Sequence, residues 1–259
     1  MNEILKELLD DRYLKYNVPA YIDADPIQIP HLFSKKEDVE IAAFLAAAIA
    51  WGQRSTIIKN ARKLISWMDN APYDFVMNAE EDDLKVVEKF VHRTFNGIDC
   101  TYFLQALQNI YIHHGGLERV FQQGFDTDKT VYSALQHFRN VFFELPHVRR
   151  TEKHVGDVTR NAAAKRLNML LRWMVREDVQ GVDFGLWKGI PTSALMLPLD
   201  VHTGNVGRAL GLLTRKQGDW KAVEEITEAL RQFDAKDPVK YDFALFGMGL
   251  NHELIGNSE

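Results

Sequence analysis

Asn161-Ala-Ala-Ala-Lys-Arg-Leu-Asn-Met-Leu-Leu-Arg-Trp-Met-Val-Arg176 is the stretch that decides the fold class. Leu167, Leu170, Leu171 and Met174 stand at i, i+3, i+4 and i+7, so they form one apolar stripe of a helix. Lys165, Met169, Arg172 and Arg176 fall on the opposite face. With Asn161 as the cap, Lys165 is expected about one turn into this helix. A cation there meets the positive end of the helix dipole at a cost of ~0.3–1 kcal/mol. That pushes the ammonium toward the free amine, but partial burial and a nearby carboxylate would have to add more before it became a nucleophile. For a lysine on a helix face, plain solvation is the ordinary alternative.

The same periodicity extends outward. Glu37–Trp51, Arg54–Met68, Asp82–Val91, Asp99–His113 and Asp128–Leu145 all space their apolar residues by three and four. Asp219 and Asp237 read as helix caps, the second followed by Pro238 at the first helical position. No stretch alternates apolar and polar long enough to predict a strand, so the predicted class is all-α. Breaks fall at Gly115-Gly116, at Pro146 through Gly156 and at Asp178 through Pro198. The expectation is one structural unit of residues 1–259 with two lobes. One is a helical barrel of about 37–176; the other combines about 1–36 with 177–259.

Thirty-five residues beyond Lys165, Leu197-Pro-Leu-Asp200-Val-His-Thr-Gly-Asn-Val-Gly-Arg208 opens another helix. Asp200 is placed to accept the backbone N–H of His202 or Thr203, and capping alone would account for it. Gly204 and Gly207 inside that helix each cost ~1 kcal/mol relative to alanine. They imply close approach, either of another helix or of a sugar–phosphate backbone.

Composition bounds the function. Hydrophobic residues at 46% and charged residues at 26% are ordinary for a globular protein. The longest apolar run, Ile41 to Trp51, is far short of the ~20 residues of a membrane span, so no membrane partner is expected. The amino terminus has no basic-then-apolar signal pattern, which predicts a cytoplasmic protein. A single cysteine, Cys100, excludes an internal disulfide and an iron–sulfur cluster, and reads as a small core residue. His113, His114, His147, His154, His202 and His252 show no His-Glu-x-x-His spacing, so no metal is expected. Net charge is −5, yet His147–Arg176 carries eight Lys/Arg (Arg149, Arg150, Lys153, Arg160, Lys165, Arg166, Arg172, Arg176) against Glu152 and Asp157. Such a segment is either a solvated face or a local phosphate-binding patch.

Taken together, Pro-Leu-Asp200-Val-His202-x-x-x-Val206 resembles the Val-Asp-Thr-His-x-x-x-Val signature of the helix-hairpin-helix DNA glycosylases such as endonuclease III. Ala-Ile-Ala-Trp51-Gly-Gln53-Arg54 is similar to their Leu-Leu-Ser-Ala-Gln-x-x-Asp segment. The wide separation of lysine and aspartate looks most like the archaeal 8-oxoguanine glycosylase branch. Asp237-Pro-Val-Lys-Tyr-Asp242-Phe-Ala-Leu-Phe246-Gly-Met-Gly is similar to that branch's Pro-Leu-His-x-Asp-x-x-x-Trp-x-x-Gly element, with phenylalanine in place of tryptophan. The whole chain also looks like a bacterial conserved family of unknown function. There is no Leu-Pro-Gly-Val-Gly hairpin ahead of the lysine, and the four cluster cysteines of endonuclease III are absent.

The resemblance implies a two-lobed helical fold with a cleft and base-excision repair of damaged DNA. Lys165 would form a Schiff base with the lesion sugar, giving AP-lyase activity, and Asp200 would stabilise the oxocarbenium-like sugar. It implies that Gln53, with Trp51 or Arg54 nearby, fills the space left by an extruded nucleotide. Trp51, Asp242 and Phe246 become base-pocket candidates. Arg149, Arg150, Lys153, Arg166 and Arg172 join Gln53 and Arg54 as DNA-binding candidates. No cofactor is expected. The competing reading is a non-catalytic module that recognises DNA or RNA structure on the same fold; retention of both Lys165 and Asp200 favours the enzyme.

Overall fold

Apolar residues at helical spacing become helices along most of the chain, in a computed structural model that describes residues 3–253. The class is all-α: among the described residues the only paired strands are Val91–His92 and Phe95–Asn96, two residues each. That hairpin takes the end of the helix expected over Asp82–Val91, which shrinks to Glu81–Leu84 and a 3-10 turn at Val87–Lys89. Phe90, His92 and Phe95 are buried, and Arg93 turns the chain at φ 55°. Among the described residues no helix is long and apolar enough to cross a membrane.

The chain divides into two compact units, Met1–Tyr21 with Asp157–Glu259, and Ile22–Gly156. The division falls ahead of the lysine helix rather than at residue 176, because the amino-terminal helix Glu3–Tyr16 and the lysine-bearing segment build one core with the carboxy-terminal helices. Glu3–Tyr16 packs along Tyr241–Leu250. A Cβ on Gly247 would lie 2.2 Å from the ring of Tyr16, so only glycine lets these helices approach so closely. Tyr13 and Tyr21 meet the Phe243 ring at 6.4 and 5.1 Å, and Tyr241 Oη donates to Asp10 at 2.9 Å.

In Ile22–Gly156, helix Lys36–Ala48 is buried from Val39 onward. Its Phe44 joins Phe103, Phe138 and Phe142 in an aromatic cluster with centroids 4.8–5.7 Å apart. Helix Gly97–His113 carries Cys100 and Asp99 inward, both fully buried. Burial pushes the Cys100 thiol well above its ordinary value, so it is an inert core group. Asp99 accepts from the Asn96 N–H at 3.0 Å and from Arg150 and Thr151 at 2.8 Å, with His154 at 3.2 Å.

Candidate active site

Lys165 is the first residue of its helix, Lys165–Val175, not one turn inside it. The expected cap, Asn161, is drawn elsewhere: its side chain donates to Asp219 at 2.8 Å, and its carbonyl accepts from the Trp220 N–H at 3.0 Å. Asp219 itself caps Trp220–Arg231 through the Ala222 N–H at 3.1 Å. The chain then turns through Ala164 at φ 46°, ψ 37°, with no side-chain cap on the lysine helix. A left-handed alanine costs ~1–2 kcal/mol, and it sits directly before the lysine. Asn168 steadies the turn by donating to the Ala163 carbonyl at 3.1 Å.

Asp200 caps Val201–Ala209 as expected: Oδ1 accepts the Thr203 N–H at 2.9 Å. The extended Leu197–Leu199 segment that delivers it is pinned by the Leu197 N–H to Thr227 Oγ1 at 3.1 Å. Its second oxygen is free of that duty, and Oδ2 lies 4.0 Å from Lys165 Nζ. The side chains are 29% and 21% exposed, shielded from bulk water yet open to a ligand. Lys165 Nζ also lies 3.7 Å from Met169 Sδ. Capping and facing the amine are therefore simultaneous roles of one carboxylate.

Gly207 answers to helix packing, since a Cβ there would come within 2.6 Å of Ile226 Cδ1. At Gly204 the nearest atom is the flexible end of Arg208, 3.1 Å away. Trp187, in the loop ahead of Asp200, is a buried anchor whose N–H donates to the Met174 carbonyl at 2.8 Å.

The face of the lysine helix expected to be solvated is interior. Arg172 and Arg176 are 2% and 1% exposed, because Tyr241–Leu250 and the loop after the lysine helix cover them. Arg172 pairs through Nη1 with Asp242 and through Nε with Asp183 at 3.2 Å. Arg176 reaches Asp183 and Asp237 at 2.9 Å and Tyr13 Oη at 2.8 Å. The Phe243 ring lies 4.4 Å from the Arg172 guanidinium. Arg172 is therefore not a surface phosphate contact. Arg166 is half-buried, and burial lowers it to about 10, still a cation at neutral pH.

Asp242 lies in the same unit, held by Arg172. Burial pushes its carboxyl up to about 6, Arg172 pulls the other way, and Asp200 and Lys165 act on it from opposite sides of the balance. The structure thus gathers Lys165, Asp200, Asp242 and Arg172 in one unit, with Phe246 half-buried and edge-on to His202 at 6.0 Å. Asp183, buried and raised by burial, was not identified from sequence; its only signal is an aspartate in the loop after two arginines spaced by one turn.

The remaining candidates lie in Ile22–Gly156. Gln53 is exposed at the start of helix Arg54–Trp67, after Gly52 at φ 106°. A Cβ on Gly52 would press on Arg93 at 2.9 Å. Trp51 is half-buried, edge-on to His92 at 5.0 Å and stacked on His154 at 5.8 Å, so it anchors its loop. Arg149 and Lys153 are exposed. Arg150 is tied to Asn96 and Asp99 at 2.8 Å and to the Thr94 carbonyl at 2.9 Å, a structural brace. The basic segment of the sequence therefore does not form one continuous patch: Arg149, Lys153 and Arg160 are its exposed cations.

Among the described residues no group of histidine, cysteine, aspartate and glutamate is arranged to hold a metal ion. No curated protein and no solved structure matches the chain. Residues 25–251 match the family model described as protein of unknown function DUF2400, and the chain belongs to that family.

Proposed function

We propose that this protein is a DNA base-excision glycosylase with AP-lyase chemistry. The observation that carries the reading is the approach of Lys165 Nζ to Asp200 Oδ2, 4.0 Å, from two helix starts 35 residues apart. The resemblance noted above names those same two residues as nucleophile and stabiliser.

A stacked base is out of reach, so the nucleotide is extruded. As the C1′–N bond breaks, its electron pair leaves with the base and positive charge develops on the sugar. Asp200 Oδ2 faces that charge in a partly shielded site, where a fixed carboxylate acts more strongly than in water. The Lys165 amine adds to C1′; one of its protons passes to O4′ as the C1′–O4′ bond breaks, and the opened sugar is an iminium. Loss of a C2′ proton then expels the 3′ phosphate. In the other unit, exposed Arg149 and Lys153 are cations of the kind that meet phosphates.

The test is borohydride trapping on duplexes carrying an oxidised base or an abasic site, where reduction of the iminium ties protein to DNA. Wild type is expected to trap and Lys165→Gln to lose the adduct. Absence of any adduct with wild type across these substrates removes the lyase proposal; trapping by Lys165→Gln moves the nucleophile elsewhere.

A further inference from the structure

A lysine amine rides on a long, flexible stem, and a nucleophile works only when it is held in one direction. Asp200 does not hold it, because Oδ2 at 4.0 Å from Lys165 Nζ is beyond hydrogen-bond reach. Among the described residues the amine has one hydrogen-bond acceptor, Met169 Sδ, 3.7 Å away. Lysine and methionine stand four apart on the helix Lys165–Val175, where side chains at i and i+4 are neighbours. Met169 is 7% exposed, so the protein interior fixes its thioether, while the Lys165 side chain is 29% exposed.

We infer that Met169 is a positioning residue for Lys165, its thioether holding the amine opposite Asp200. The inference rests on the glycosylase reading above. The chemistry of sulfur suits the task. A carboxylate in direct contact favours the ammonium and opposes the loss of its proton. A thioether is neutral and a weak acceptor, so it takes an N–H from the ammonium or from the free amine alike. Ordering the side chain costs entropy that would otherwise add to the barrier of the addition step; the buried methionine moves that cost into folding.

Two substitutions separate a tether from a filler of space. Met169→Leu keeps an apolar side chain of similar volume and removes the acceptor. Met169→Gln keeps the length of the side chain and offers an amide oxygen to the same amine. If position 169 only fills space, leucine is tolerated better than a buried amide, and both stability and trapping rate rank leucine above glutamine. If it tethers the amine, stability keeps that order and the trapping rate reverses it.

Single-turnover borohydride trapping on an abasic-site duplex, measured on the full chain per folded molecule and across duplex concentration, reads the rate. Met169→Leu should slow trapping at saturating duplex by ~10-fold or more and leave the half-saturating concentration unchanged. Met169→Gln should be slowed less. ¹³C relaxation of the Lys165 ε-methylene, assigned by its loss in Lys165→Gln, reads the tether without any reaction: ordered in wild type, more mobile in Met169→Leu, between the two in Met169→Gln. A Met169→Leu rate within about twofold of wild type, a faster rate for leucine than for glutamine, or a methylene as ordered in Met169→Leu as in wild type overturns the inference. If Met169→Gln does not fold, Met169→Leu and the relaxation measurement still decide the matter. Absence of any wild-type adduct removes the glycosylase reading and this inference with it, whereas a wild-type adduct with Met169→Leu unaffected removes the inference alone.

Discussion

Replacing Asp200 by asparagine separates the proposed chemistry from folding. In the folded protein the carboxylate has two oxygens with two tasks: Oδ1 caps the helix through Thr203 at 2.9 Å, and Oδ2 faces Lys165 at 4.0 Å. Asparagine is as good an N-cap as aspartate, so the first task survives and stability should change by less than ~1 kcal/mol. For a protein of this size that is a shift of only ~2–4 °C in Tm. The second task is lost. Unit charges 4 Å apart interact by ~4 kcal/mol at an effective dielectric of ~20. Since both side chains retain partial exposure, this is an upper figure for what the carboxylate offers a sugar cation nearby. It corresponds to a slowing of at most ~10³-fold, and losses of ~10²–10³ are usual when one oxyanion-hole donor is removed. Single-turnover trapping rates and thermal unfolding of the same preparation check both halves. A rate loss below ~10-fold in a fully folded Asp200→Asn protein would refute the assignment of Asp200 as the cation stabiliser. A Tm loss above ~8 °C would refute the claim that its capping role is transferable.

Asp242 also makes a prediction about stability. Its folded value, about 6, exceeds its ordinary 3.8, so the folded state binds this proton more tightly. The contribution is complete below about pH 4 and disappears as pH rises through 6, by ~3 kcal/mol in total. Urea unfolding of wild type minus Asp242→Asn between pH 4 and 7 should show that slope, and a flat difference would contradict the burial account. Arg149→Ala with Lys153→Ala should weaken duplex binding and reduce the slope of log K against log salt by about 2 if each meets a phosphate; an unchanged slope places the interface elsewhere. Ala164→Gly relieves a left-handed alanine at φ 46° and should alter stability by no more than ~1 kcal/mol. It should nonetheless lower the trapping rate by freeing the start of the lysine helix, and an unaffected rate would remove any role for the strained turn. Gly247→Ala should destabilise by ~1–2 kcal/mol despite its better helix propensity, because the added methyl meets Tyr16 at 2.2 Å; chemical unfolding without loss would show that the helix pair can part freely.

Local signals carried the sequence reading where one residue decides with its near neighbours. The stripe Leu167, Leu170, Leu171 and Met174 is buried, and Asp200, Asp219 and Asp237 all cap, since a cap acts on N–H groups two or three residues on. The expectation failed wherever a distant partner outbid a local one. Asn161 is a good cap in isolation, but Asp219, 58 residues away, takes its side chain. Arg172 and Arg176 look solvated because the carboxylates that neutralise them lie up to 70 residues downstream. The hairpin at Val91–Asn96 is too short to display a period of two. Burial of the Phe95 side chain, not propensity, fixes it. The division between units was hidden for the same reason: nothing near Gly247 in sequence announces that Tyr16 will press against it.

Left-handed non-glycine residues occur in both units, at Asp69, Asn70, Arg93 and Lys129 as well as at Asn161 and Ala164. A left-handed alanine, an uncapped helix start bearing a cation, and a carboxyl raised by burial all occur within the same unit, around Lys165, Asp200 and Asp242. Each raises the energy of the folded chain: the backbone at Ala164 by ~1–2 kcal/mol, the lysine at the positive end of the dipole by a fraction of that. Asp242 pairs with Arg172, and a buried carboxylate of the other unit has more partners. Asp99, equally buried, is met by a backbone N–H, an arginine, a hydroxyl and a histidine within 3.2 Å. The Ile22–Gly156 core thus shows that this chain is able to satisfy an interior carboxylate. A carboxyl raised by burial to about 6, as Asp242 is, is a kind of group that the proposed enzyme chemistry uses and that plain binding of a nucleic-acid backbone does not require.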